Sequence, residues 1–195
     1  KESSLAITTG SSNTIMGADS AKTITEGHSS VIIGQNAGAA LTTGHSVVFI
    51  GQAAGDNHDT EHDNLGIGRA ALGGAVAGGE FNVAVGNYTL DALTSADFVT
   101  AVGYDAGGAI TSGGYNTLIG HEAGHAMTSG NTNTAVGHHA LGTNTVGDRN
   151  TAVGSGALGT FNPDSNTDNN NTAVGYGALN ALTTGVHNIA IGGTA

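Results

Sequence analysis

The stretch Asn171-Thr172-Ala173-Val174-Gly175-Tyr176-Gly177-Ala178-Leu179-Asn180-Ala181-Leu182-Thr183-Thr184-Gly185-Val186-His187 decides the fold, because the rest of the chain repeats it. Taking Gly175 as anchor, equivalent glycines stand at 17, 34, 51, 68, 86, 103, 120, 137, 154 and 192. Eight of the ten intervals are 17 residues, one is 18 and one is 21. A period held over eleven copies marks a repeat architecture, in which each copy is a unit that buries its apolar face against its neighbours.

We number the slots of a copy one to seventeen from Asn171. Slot four is a large aliphatic in every copy: Met16, Ile33, Ile50, Ile67, Val85, Val102, Ile119, Val136, Val153, Val174 and Ile191. This series is the expected core ladder. Slot eight is small (Ala37, Ala54, Ala106, Ala123, with Thr89 the largest), and slot nine switches between Leu and Gly or Ala. Slot twelve is usually apolar, as in Ile24, Leu41, Leu93, Ile110, Met127 and Leu182. Slot three holds Ala84, Ala101, Ala135, Ala152, Ala173 and Ala190, on the strand face opposite slot four. Both faces of that strand are therefore apolar, one for the coil interior and one for a partner chain.

Helical hairpins do not fit this pattern. The fixed glycines would each cost a helix about 1 kcal/mol, and seventeen residues are too few for two helices with loops. β-branched residues gather at slots two to four, with Gly, Asn, Ser and Thr at the ends. The spacing predicts an all-β chain: one parallel β-solenoid (β-roll) domain, 1–195, of about eleven 17-residue coils. A partial coil covers 1–12, and repeats start at 13, 30, 47, 64, 82, 99, 116, 133, 150, 171 and 188. Each coil is expected to hold two short strands, at slots two to five and ten to thirteen. Like slots then stack at roughly 4.8 Å, giving a rod of roughly 55 Å. Slot one is Asn13, Asn64, Asn82, Asn116, Asn133, Asn150, Asn171 and Asn188, a candidate ladder of amides bonded coil to coil. Neither end reads as capped, since Ile7-Thr8-Thr9-Gly10 matches Leu182-Thr183-Thr184-Gly185 inside a coil and 188–195 begins another. End-to-end continuation with neighbours is the expectation.

Composition narrows the function. Aromatics are 4% of the chain against 34 glycines and one proline, Pro163, so whatever is buried is thin. The net charge is −11, and Lys1, Lys22, Arg69 and Arg149 are the only strong bases. That excludes a nucleic-acid footprint, which needs basic groups to displace counterions, and docking on anionic membrane. No apolar run approaches 18 residues and no signal-peptide core is visible, so membrane insertion is not expected. The absence of cysteine removes disulfides and thiolate metal sites.

Asn-Thr-Ala-Val-Gly-x-x-Ala-Leu, at 133–141, 150–158 and 171–179, resembles the repeats of phage tail-fibre and tail-spike proteins. It is also similar to the Asn-Ser-Val-Ala-Ile-Gly repeats in the head of YadA-type trimeric autotransporter adhesins. The resemblance spans essentially the whole chain and implies a homotrimer of left-handed parallel β-rolls. It also implies an extracellular setting, on a virion or a cell surface, and contact with a host-surface receptor or glycan. The 17-residue period is longer than the common adhesin-head repeat, and Thr replaces Ser at slot two, which favours the fibre branch. No anchor barrel, stalk coiled coil or chaperone domain is present in this sequence to decide between the two.

Several residues could carry chemistry. His121-Glu122-Ala123-Gly124-His125 matches the zinc-protease pattern, but that pattern needs a helix and here fills ordinary coil slots. Gly154-Ser155-Gly156-Ala157-Leu158-Gly159 matches a dinucleotide fingerprint without the βαβ unit it requires. Enzymatic activity is not expected, because no acid, base and nucleophile converge. His28, His45 and His62 share slot sixteen of consecutive coils and should stack. Beside them lie Asp56, Asp59, Glu61 and Asp63. This group is a candidate site for Ca²⁺ through carboxylates, or for a transition metal through imidazoles, in a chain otherwise read as free of cofactors. Such a column could also lose stability as it protonates near pH 6. Tyr104, His121 and His138 at slot six, and Phe81, Phe98 and Tyr115 at the last slot, form two further columns. They suit either internal stacking or a platform for receptor sugars. The insertion from Phe161 to Asn170 is expected to project as a contact loop. A regular Thr column (Thr100, Thr117, Thr134, Thr151) also raises an ice-binding solenoid, though Val31, Leu65, Val83 and Ile189 interrupt it.

Overall fold

The computed structural model describes residues 7–75, 77–165 and 168–195. The opening six residues of the expected partial coil, and Asn166 and Thr167 of the insertion, lie outside them. Eleven strands of three residues follow one another: β1 (Thr14–Met16), β2 (Val31–Ile33), β3 (Val48–Ile50), β4 (Leu65–Ile67), β5 (Val83–Val85), β6 (Thr100–Val102), β7 (Thr117–Ile119), β8 (Thr134–Val136), β9 (Thr151–Val153), β10 (Thr172–Val174) and β11 (Ile189–Ile191). They form one sheet in chain order, each strand parallel to the next. The chain is a β-solenoid. Like slots face each other throughout, as in Thr100↔Thr117, Ala101↔Leu118 and Val102↔Ile119. The two longer intervals leave this register intact, with Leu65↔Val83 and Thr151↔Thr172.

Among the described residues the second strand expected at slots ten to thirteen does not form. Slots seven and nine take left-handed backbone even where the residue is not glycine, as at Asn36 (φ 58°), Leu90 (53°), Glu122 (55°) and Leu141 (50°). Each such residue costs roughly 1–2 kcal/mol. Slot-twelve amides then close tight turns on slot-nine carbonyls, with Leu41 N donating to Gly38 O at 3.1 Å and Leu93 N to Leu90 O at 3.2 Å. The strain is offset by bonds that still run coil to coil, such as Ala21 N to Ala37 O at 2.9 Å.

The expected core ladder is a column, but it is on the wrong side. Met16, Ile33, Ile50, Ile67, Val85, Val102, Ile119, Val136, Val153, Val174 and Ile191 line up in register, yet none is buried, and Met16 and Ile191 are 62% and 74% exposed. The interior belongs to slot three, where Ile32, Phe49, Ala84, Ala101, Leu118, Ala135, Ala152 and Ala173 are fully buried. The cross-section is too narrow for a large aliphatic in every coil, so the smaller series turns inward.

Volume inside is traded across the coil between slots three and nine. Ile32, Phe49 and Leu118 face Gly38, Gly55 and Gly124, whereas Gly66, Ala84, Ala135, Ala152 and Ala173 face Leu72, Leu90, Leu141, Leu158 and Leu179. A Cβ added at Gly55 would lie 2.6 Å from the Phe49 ring, and one at Gly124 would lie 2.8 Å from Leu118 Cδ2. Protein interiors pack without voids, so one large side chain per pair is the usual count. The coil from 99 departs from it, with Ala101 and Gly107 paired and Leu90 and Leu118 of the adjoining coils reaching the space at Gly107. Slot five is different: it admits only glycine. At Gly103 (φ +139°) a Cβ would sit 2.3 Å from the Gly120 carbonyl oxygen of the next coil.

The amide ladder forms largely with the backbone. Asn133 Nδ2 donates to Gly147 O at 2.9 Å, and its Oδ1 accepts from Asn150 N at 2.9 Å. Asn82 and Asn171 repeat the first bond to Ala96 O and Gly185 O, each at 2.8 Å. Direct amide-to-amide bonds join Asn116, Asn133, Asn150, Asn171 and Asn188 at 3.1–3.3 Å. Ser30, Val47 and Val99 interrupt this run at slot one.

Candidate functional site

Parallel register converts repeated aromatic slots into ladders along the outside of the rod. His28, His45 and His62 stack at 4.7 Å between ring centroids, with planes within 7° and 1° of parallel. The column continues where sequence reading broke it off. His62 meets Phe81 edge-on at 5.9 Å, and Phe81, Phe98 and Tyr115 stack at 5.1 Å each. Six rings thus form one line. The join was hidden because it crosses from slot sixteen to slot seventeen at the coil with the extra residue.

The second ladder runs along slots six and seven. Arg69 lies over the Tyr88 ring at 5.1 Å, and Tyr88 meets Tyr104 at 5.8 Å. Tyr104, His121 and His138 then stack at 5.3 Å per step, and His138 tilts against His139 at 5.5 Å. Acids alternate with these imidazoles. His139 Nε2 is 2.9 Å from Glu122 Oε2, and His125 Nδ1 is 3.1 Å from Asp105 Oδ2. Asp91 is raised above the usual carboxylate range by burial and then by the Asp105 charge. Arg69 and Tyr88 are not legible as ladder members in the repeat, because Tyr88 stands at slot seven and Asn87 fills slot six of that coil. His121 and His125 have separate partners, with His121 stacked on its neighbours and His125 beside Asp105, and among the described residues the zinc-protease pattern builds no metal-holding group.

The seven residues picked for metal binding do not converge. The stacked imidazoles hold their ring nitrogens in parallel planes, so they cannot point at one ion. His28 and His45 Nδ1 lie 3.3 Å from Ser29 and Ser46 hydroxyls, and His62 sits between Asp63 Oδ2 (2.9 Å) and Glu80 Oε1 (3.0 Å). Asp59 accepts from the Thr42 hydroxyl. Glu61 accepts from the backbone amides of Asp59 (2.9 Å), Thr60 (3.2 Å) and Gly78 (3.1 Å). Asp56 is raised by burial and, more weakly, by Asp91. Among the described residues no three His, Asp or Glu side chains are placed to hold a metal ion.

In the same coil, His58 fills slot twelve, where other coils put Ile24 or Leu41. It is fully buried, both ring nitrogens lack a hydrogen-bond partner, and its ring meets Phe49 edge-on at 4.9 Å. Burial lowers its pKa to about 4 against a smaller opposing pull from Glu61.

The insertion projects less than expected. Phe161 and Pro163 are buried, Asn162 Oδ1 accepts from Thr145, and Arg149 pairs with Asp168. Among its described residues Asn162, Asp164, Ser165, Asp168 and Asn170 are exposed, and Asn169 is buried.

Two threonine columns behave differently. Thr94, Thr111 and Thr128 at slot thirteen donate to the next coil's carbonyl at 2.9–3.1 Å. Thr100, Thr117, Thr134, Thr151 and Thr172 share the outward sheet face with the slot-four aliphatics. Their hydroxyls make no hydrogen bond among the described residues. No described helix is long and apolar enough to cross a membrane.

The class this geometry defines is a parallel β-solenoid repeat protein carrying ring ladders and one unpartnered sheet face. Comparison with protein-family models, with curated proteins and with solved structures found no significant match to this chain.

Proposed function

We propose that the chain is a segment of an extracellular adhesive fibre: a homotrimer of left-handed β-rolls on a virion, in the manner of a phage tail fibre, that touches a host-surface receptor. The single observation that carries this reading is the outward face of the sheet. Slots two and four present an in-register strip of Val, Ile, Leu, Met and Thr along all eleven strands. A continuous apolar patch of this kind marks an association surface. A rod repeating one unit gives identical strips on identical chains, the condition for a closed symmetric assembly. The ring ladders lie off this strip and stay free for a receptor. The role is structural and adhesive rather than catalytic; a bacterial adhesin head shares every one of these features, and imaging the intact source particle separates the two.

Sedimentation at micromolar concentration tests the reading. The wild-type chain should run as a trimer, and Val136→Glu with Val153→Glu should run as a monomer with unchanged β-type circular dichroism. A wild-type monomer overturns it. One observation favours a second reading. Five consecutive Thr hydroxyls without protein partners, each two residues from a β-branched aliphatic, would suit ordered water on an ice surface. Thermal hysteresis from a monomer supports that reading; a trimer without hysteresis removes it.

A further inference from the structure

The slot-six ladder has a missing rung. Tyr104, His121 and His138 stack at 5.3 Å per coil, the next coil places Ser155 at that step, and the coil after it places Tyr176. The coils themselves stack without a break: Gly156 N donates to His138 O, and Gly177 N to Ser155 O, both at 2.9 Å. The slot-six positions of His138 and Tyr176 are therefore two coil steps apart, roughly 10 Å along the axis. Small residues keep the floor between them open. A Cβ added at Gly156 would meet nothing within 4 Å. Asn180 Oδ1 lies over Gly159 on the same floor. Tyr176 is 70% exposed and, among the described residues, stacks on no ring. The notch is part of a groove whose lining includes His138, Ser155, Gly156, Tyr176 and Asn180.

We propose that this notch is a subsite for one pyranose ring of a saccharide, held between His138 and Tyr176 as the absent member of the column. A ring midway has a neighbour at roughly 5 Å on each side, within the 4.5–7 Å range of ring contacts. A flat ring at that spacing would sit as His121 sits between Tyr104 and His138, so it is the polar rim that favours a sugar. A puckered saturated ring is thicker, offers C–H faces to both walls, and turns its hydroxyls to the edge. Ser155 Oγ, the Asn180 amide and Tyr176 Oη are there to meet them. An apolar sandwich with a few polar groups at its rim is the usual composition of a small-ligand site. The inference rests on the adhesive reading and locates a sugar contact within it, at residues other than the ring columns themselves.

Saturation-transfer NMR on the full chain tests it, with methyl α-D-glucopyranoside, methyl β-D-galactopyranoside and N-acetylglucosamine as probes. Transfer to the ring protons of at least one probe is expected. It should vanish in Ser155→Tyr, which supplies a protein ring at the vacant step and which slot six tolerates elsewhere as Tyr104. It should vanish equally in Tyr176→Ala, an exposed side chain whose removal leaves the coil intact, and persist in Tyr115→Ala on the other ladder. Transfer to none of the three probes, or transfer that survives Ser155→Tyr or Tyr176→Ala, overturns the proposal. Sedimentation of the same samples separates the two failures: a trimer that ignores sugars loses only the notch, and a monomer that binds them loses only the fibre.

Discussion

The coil from 47 to 63 and the coils from 133 to 170 build the same cross-section from opposite materials. The first puts Val47, Phe49, Gly55 and His58 at slots one, three, nine and twelve; the second pair uses Asn, Ala and Leu at the first three, with Asn144 or Phe161 at the last. All of these side chains are buried, and the strands stay in register across both. The solenoid therefore specifies how much volume each step holds and where backbone groups must be bonded. It does not specify which side chain supplies the volume. The cost of the first solution is a buried imidazole without partners; the second satisfies its polar groups through the amide ladder.

The largest effect should fall where the two regions are alike. Gly51→Ala and Gly154→Ala should each destabilise by about 5 kcal/mol, summing strain at a glycine-only conformation and overlap with the next coil. A Cβ there lies 2.3 Å from a carbonyl oxygen in both coils. Equal shifts in urea midpoint are expected; a large difference would show that the coils are not equivalent units.

Next comes the trade itself. Phe49→Ala should cost about 3–5 kcal/mol through the cavity it leaves. Adding Gly55→Leu should recover more than half, because Leu72 and Leu90 already occupy that slot at φ 56° and 53°. Gly55→Leu alone should be destabilising. Additive single effects in this cycle would refute volume exchange across the coil.

The third test concerns His58. Its folded-state pKa, about 4, lies below the ordinary value of 6.5. Between those values the unfolded chain binds a proton that the folded chain refuses. This contribution to stability is therefore complete above pH 6.5 and falls as pH drops toward 4, by about 3 kcal/mol in all. His58→Leu should flatten that slope and raise stability at neutral pH by about 1–3 kcal/mol, because it removes unsatisfied polar atoms. A pH profile identical in variant and wild type would sink this account.

The smallest effect should be Asn133→Ala, about 2 kcal/mol, from the lost bonds to Gly147 and Asn150. Hydrogen exchange should quicken at Asn150 and leave the Val47 coil unaffected.

Much of this was readable from the repeat alone, and the errors are instructive. Register, parallel pairing and the Asn ladder all follow from the interval between Gly17 and Gly34 and its successors, since a parallel coil has to place equal slots opposite each other. The ring stacks followed for the same reason wherever the slot was constant. The face of the sheet did not follow: Ile33 or Val136 looks like core beside Ala135, and only the width of the coil sends the smaller residue inward. The second strand failed because left-handed backbone at Asn36 or Glu122 leaves no trace in residue type. Metal binding at His28, His45 and His62 failed on direction, since stacking aligns rings in parallel while coordination needs them to converge.

By itself, the sequence determined the period, the parallel register and hence which residues form columns, because periodicity survives any choice of backbone path. The tertiary structure decided which column is inside, where His62 hands over to Phe81, and that Tyr88 joins the Tyr104 ladder from slot seven. Those depend on the closed radius of the coil and on the direction of each side chain from it, quantities that residue spacing does not carry.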